Sequence, residues 1–119
     1  MSDTPIVVWT EIPVSDIDRA TAFYNAVFGW TMTVDTTTGP NPMAVLGGRM
    51  NDAGGHLYPG TPGQGPTVHI ALPDRLEAGT DRCTRAGGTI LGDPISLPTG
   101  RFVYATDTEG NSIGLFEAA

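Results

Sequence analysis

The chain has 119 residues, 39% of them hydrophobic, with 16 glycines and 10 prolines, enough for one domain with a real core and many turns. Its net charge is −7 and its six cations are all arginine. Such a surface repels phosphate backbones and anionic membranes, and the lack of lysine excludes Schiff-base chemistry and a lysine-bearing phosphate loop. Cys83 is the only cysteine, so an internal disulfide and a metal site of four cysteines are both impossible.

The N-terminal Met1-Ser2-Asp3-Thr4 has no positive flank or apolar run, and no stretch reaches membrane-spanning length, so a soluble, cytoplasmic protein is expected. Ile6-Val7-Val8-Trp9 opens a strand running to about Pro13. Ser15 or Asp16 then caps a helix whose apolar positions Ile17, Ala20, Tyr24, Val27 and Phe28 recur at helical spacing, and Gly29 ends it. Three strands are expected next, at Trp30–Thr36, Met43–Gly48 and Gly54–Tyr58, each bounded by turn residues. The Gly- and Pro-rich stretch over residues 60–66 reads as a linker.

Beyond the linker the order repeats. Thr67–Leu72 is a strand, and Asp74 with Glu77 three residues on has the spacing of a capping box. Leu76, Cys83 and Ala86 form the apolar stripe of a second helix, stopped by Gly87-Gly88. Strands follow at Thr89–Leu97, Arg101–Thr106 and Ser112–Glu117. One separation of 58 residues relates Asp16 to Asp74, Gly29 to Gly87, Leu57 to Leu115 and Tyr58 to Phe116. A constant register across such landmarks argues for duplication. The expected fold is therefore α+β: two βαβββ modules, about 5–59 and 67–118, giving eight strands and two main helices.

In such a module the helix covers one sheet face and leaves the other open to a small molecule. Alternation puts Val8, Thr10, Ile12 and Val14 on one face of the first strand and Trp9, Glu11 and Pro13 on the other. In the strand after the linker, Val68, Ile70 and Leu72 match the helix-packing face, which leaves Thr67, His69 and Ala71 on the cavity side. Parity around Leu57 and Leu115 places His56, Tyr58, Gly114 and Phe116 there as well.

The run Trp9 to Ala20, followed by Phe23-Tyr24 and Phe28-Gly29-Trp30, resembles the opening of glyoxalase/bleomycin-resistance proteins of the vicinal oxygen chelate superfamily. The segment Asp107-Thr108-Glu109-Gly110-Asn111-Ser112-Ile113-Gly114-Leu115 is similar to that family's closing motif. The resemblance spans essentially the whole chain. It implies paired βαβββ modules, a homodimer and a small organic ligand, in a family that includes metal-dependent lyases and dioxygenases as well as metal-free binders. In metal-using members the ligands come from the first and last strands of each module. Here two of those places hold Trp9 and Gly114, neither able to bind a metal, while the others fall on His56 and His69.

Three readings stay open. In the first, Glu11 and His69 act as catalytic groups without a metal or other cofactor, Glu11 serving as general base. In the second, Trp9, His56, Tyr58 and Phe116 bind a ring-shaped or conjugated compound that is sequestered, and the acidic balance favours a cationic or hydrogen-bond-donating one. In the third, His56, His69 and Glu11 hold a divalent metal in a lyase or dioxygenase. Arg49 and Arg101 could each reach the pocket mouth. Gly110-Asn111-Ser112-Ile113-Gly114 matches a nucleophile-elbow pattern but enters a strand, with no helix to follow. The Gly60–Gly65 run precedes no helix start, and Cys83 is a small core residue.

Overall fold

The computed structural model describes residues 5–49, 53–63 and 65–119. The expected leader-free start (Met1 to Thr4) and Gln64 of the linker lie outside the described residues. The elements in order are β1 (Val7–Val14), α1 (Ile17–Phe28), β2 (Ala44–Val45), a 3-10 turn (Leu46–Gly48), β3 (Gly54–Pro59), β4 (Thr67–Ala71), α2 (Leu76–Arg85), β5 (Thr89–Leu97), β6 (Gly100–Thr106) and β7 (Ser112–Ala118). The described residues thus form seven strands, not the eight expected. The chain clusters into two compact units, Thr10–Pro66 in one and residues 5–9 with Thr67–Ala119 in the other.

In the first of these units α1 starts where Asp16 accepts a hydrogen bond from the Arg19 N–H, and it stops at Gly29, whose left-handed φ of 71° suits glycine. Its inner face keeps three residues of the predicted stripe and loses two. Ile17, Ala20 and Tyr24 pack on a core of Met32, Ala44 and Leu57, whereas Val27 and Phe28 are exposed. Phe28 stacks on Trp30 instead, with ring centroids 4.9 Å apart. The missing strand at Trp30–Thr36 has a local cause. The Asn25 side chain accepts from the Met32 N–H at 2.8 Å and donates to the Met32 carbonyl at 3.1 Å. A ladder through Met32 would need those same backbone groups, and among the described residues this segment pairs by an isolated bridge between Asp35 and Met43. The expected strand at Met43–Gly48 shrinks to β2, because Gly47 and Gly48 take positive φ.

β2 runs antiparallel to β3, with Ala44 opposite Leu57 and Val45 opposite His56, and β1 lies beyond β3. Ile12, Val14 and Leu57 face α1, so alternation turns Glu11, His56 and Tyr58 to the opposite side.

In the other unit the strands lie in the order β1, β4, β7, β6, β5, with β4 parallel to β7 and the remaining pairs of known register antiparallel. Leu76, Val103, Ala105 and Leu115 form the core beneath α2, joined by Leu72, Cys83, Ile90 and Ile113. The predicted stripe residue Ala86 is exposed. The turn into β7 is built by Asp107, whose carboxylate accepts from the Glu109 and Asn111 backbone N–H groups and the Asn111 amide. The closing sequence motif is therefore structural at its acidic end.

α2 is not capped by Asp74, which instead makes a two-pronged pair with Arg82 at 2.8 and 2.9 Å. Glu117 on β7 takes over, accepting from the Leu76 N–H at 2.6 Å while Arg101 binds it from the side. Arg101 also donates to Glu77 at 2.6 Å. Its guanidinium holds the Glu77 carboxyl down to about 2, and with the Leu76 N–H it lowers that of Glu117. Carboxyls lowered on folding stabilise the fold fully above their unfolded values, and that contribution fades as pH falls through the folded ones. Melting temperature is therefore expected to drop more steeply in the wild type than in Arg101→Met as pH falls from 4.5 to about 2. Parallel curves would contradict this role for Arg101.

Candidate functional site

Two groups of side chains stand on the faces that the helices do not cover. The first lies within Thr10–Pro66. Glu11 on β1 and His56 on β3 meet with Oε1 3.7 Å from Nε2, and their side chains are only 15% and 13% exposed. The Tyr58 ring meets that of His56 edge-on at 6.2 Å between centroids. A carboxylate beside a half-buried imidazole can accept a proton and pass it on, the arrangement general acid–base chemistry needs. Behind it, Gly55 lies directly against the Thr10 backbone, so the close approach of β3 to β1 depends on a residue with no side chain.

The second group belongs to the other unit. Register places His69 of β4 opposite Gly114 of β7, which in turn faces Tyr104 of β6. Ala71, Phe116 and Phe102 make the neighbouring row. His69 is buried, 4% exposed, with its ring 4.8 Å from Phe102 and 5.5 Å from Tyr104 between centroids. At the end of this face the Thr67 and Ser112 hydroxyls bond to each other at 2.6 Å. The imidazole fills the space above Gly114: a Cβ built there comes within 2.7 Å of His69 Cγ and nearer still to Nδ1.

Of the residues singled out from sequence, Glu11, His56 and Tyr58 come together in one unit, and His69 and Phe116 share a face in the other. Trp9 is half-buried on β1. Arg101 does not reach that face, since its partners Glu77 and Glu117 hold it at the start of α2. Arg49 is exposed at the end of the 3-10 turn. Phe102 and Tyr104 went unrecognised in the sequence, although a signal was present. The tight Asp107–Asn111 turn sets Thr106 opposite Ser112, and counting back in twos from it brings Tyr104 to Gly114 and Phe102 to Phe116.

Comparison with known proteins places this geometry in a family. A family model described as bleomycin resistance protein-like N-terminal matches residues 7–41. A glyoxylase-like domain-containing protein of Didymella fabae is 32% identical over 86% of this chain and 85% of its own length. The chain belongs to the glyoxalase/bleomycin-resistance superfamily. Proteins of Mycobacterium bovis and Mycobacterium tuberculosis that bear the provisional name glyoxylase CFP32 are 28% identical over all of this chain. The chain spans 46% of their length. A methylmalonyl-CoA epimerase of Streptomyces coelicolor, solved as a single-substitution variant with 2-nitronate-propionyl-CoA, matches at a TM-score of 0.66. It is 18% identical, with 98% of this chain and 99% of that one covered, and the likeness is one of fold.

The four-ligand metal centre of metal-using superfamily members does not fit the residues present. Trp9 offers an indole N–H and no lone pair, and the Gly114 position has no side chain and is already occupied by the His69 ring. Among the described residues no group of three or more His, Cys, Asp or Glu side chains is arranged to hold a metal ion. Gly114→Ala is expected to push His69 from its place and cost about 1–3 kcal/mol by overpacking. Adding His69→Ala should recover most of that loss in thermal denaturation. A Gly114→Ala protein as stable as the wild type, with unmoved His69 ring signals by NMR, would contradict the packing described.

Proposed function

We propose that this chain binds a small organic compound without the superfamily's four-ligand metal centre, and that Glu11 and His56 form its proton-transfer pair. The carrying observation is their 3.7 Å separation on a helix-free face, both largely withdrawn from solvent. A carboxylate can take up a proton, and a neighbouring imidazole can relay it. The separation is loose for a hydrogen bond, as is common before a substrate draws such groups together. In this reading Tyr58 contributes apolar contact beside the pair; Trp9 and the buried His69, whose ring packs against Phe102 and Tyr104, belong to the other unit. A dimer of this chain is part of the same reading and rests on family resemblance.

The Streptomyces epimerase was solved with a CoA derivative, and epimerisation needs a proton removed and returned at carbon. A CoA ester is a poor match here for electrostatic reasons. The chain carries −7, and Arg75, Arg82, Arg85 and Arg101 already engage carboxylates. We infer a neutral or cationic compound with an acidic C–H or O–H next to a carbonyl.

The test is solvent-deuterium exchange, followed by NMR, into a panel of neutral α-hydroxy ketones and dicarbonyls, with metal content measured on the same samples. Exchange by the wild type should fall at least about a hundredfold in Glu11→Gln, within the usual range for a lost general base. The melting temperature should hold. Exchange that survives Glu11→Gln would overturn the pair, and exchange that requires a stoichiometric bound divalent metal would select the metal-dependent reading instead.

A further inference from the structure

We propose that a cleft on the helix-covered side of the sheet, between α2 and the bulged middle of β5, binds an organic ammonium carried on an apolar ring. The cleft has a volume of about 420 Å3, within the roughly 300–1,000 Å3 of small-molecule sites. None of its lining residues belongs to the Glu11–His56 pair or to the group around His69. The inference therefore goes beyond the proton-transfer reading and does not rest on it.

The opening has its cause in the strand register. Leu91 lies opposite Tyr104 and Ile95 opposite Phe102, so Gly92, Asp93 and Pro94 together stand against Val103 alone. The extra residues push the β5 backbone out of line. Gly92 makes the bend at a φ of 79°, with nothing within 4 Å of where a side chain would begin. Val103 packs beneath α2, and Ile90 joins it there, which sets the hollow on the helix side. Its floor is apolar, made of Ile90, Pro94 and the buried Val103.

The opposite wall is one face of α2, where Thr80 and Thr84 lie a helical turn apart beside Asp81. Its chemistry is one-sided. The Thr80 hydroxyl donates to the Glu77 carbonyl at 2.9 Å, and the Thr84 hydroxyl donates to the Thr80 carbonyl at 3.1 Å. A hydroxyl has a single proton, so both oxygens can only accept from a ligand. A carboxylate is acceptor-only as well. Asp81 engages Arg85 through Oδ2 at 2.5 Å, which leaves Oδ1 to accept from a ligand. Acceptors on the wall and hydrocarbon on the floor suit a molecule with N–H donors at one end and a ring at the other. Asp93 in the bulge and the chain's charge of −7 favour a cation there and disfavour an anion.

The experiment is an NMR titration of the isotope-labelled whole chain with tryptamine, with indole-3-propionate as the anion of the same ring system. Tryptamine is expected to bind saturably, moving the amide signals of Thr80, Thr84 and Gly92 and leaving the His56 and His69 ring signals in place. Indole-3-propionate should bind at least about tenfold more weakly. Asp81→Asn should lower tryptamine affinity about two- to fivefold, the scale of an exposed ion pair. Thr84→Trp, at an exposed helix position, should fill the cleft and abolish the shifts. Glu11→Gln should bind tryptamine like the wild type, which separates the cleft from the acid–base pair. No saturable binding of tryptamine, equal or tighter binding of indole-3-propionate, or wild-type affinity in Asp81→Asn or Thr84→Trp would each overturn the proposal. Shifts centred on His56 or His69 would put the ligand on a helix-free face and overturn it too. If Thr84→Trp fails to fold, Thr84→Val takes its place, and loss of the acceptor oxygen must then weaken tryptamine at least about twofold for the proposal to stand.

Discussion

Everything in this molecule that looks functional follows from the two-residue period of a β-strand combined with a helix on one side only. Once Ile12, Val14 and Leu57 are committed to α1, their neighbours Glu11, His56 and Tyr58 must turn the other way. Val103, Ala105 and Leu115 beneath α2 impose the same rule on Phe102, Tyr104 and Gly114. A one-residue slip in β1 or β3 would bury the Glu11 carboxylate or the His56 imidazole in a hydrocarbon core, at a cost no neighbour could offset. The apolar core therefore does more than stabilise. It decides which side chains remain for chemistry.

Charge builds architecture in both units, and in one of them it also sets Glu11 against His56. Arg101, Glu77 and Glu117 tie β6 and β7 to the start of α2, and Asp74 with Arg82 braces the same helix. Asp107 builds the turn that sets the register of β6 on β7. Their carboxyls are all lowered by the hydrogen bonds they accept, so they stay ionised as structural anions. Glu11 is different in kind: its partner is an imidazole that can itself lose or gain a proton.

Much of this was legible in the residues. Helix ends at Asp16 and Gly29 follow from capping chemistry that acts over three or four residues, and strand parity needs only the apolar neighbours. Features that depend on distant partners were not legible. Asn25 reaches Met32 and removes an expected strand, and Glu117 crosses from β7 to cap a helix 41 positions earlier. Val27 and Phe28 keep helical spacing with Ile17, Ala20 and Tyr24 yet stay exposed, because the core of Met32, Ala44 and Leu57 packs against those three and not against the last turn. Phe102 and Tyr104 were recoverable by counting from the Asp107 turn, but only after the antiparallel pairing of β6 and β7 is known.

Direct contact between the Glu11 and His56 side chains is the central claim. Nuclear Overhauser measurements on the labelled protein probe it without a ligand. Cross-peaks between the Glu11 methylenes and the His56 ring protons, with none from Glu11 to Ala20 or Tyr24, are the predicted result. Cross-peaks from Glu11 to Ala20 or Tyr24 would mean that β1 presents its other face, and the account would be wrong.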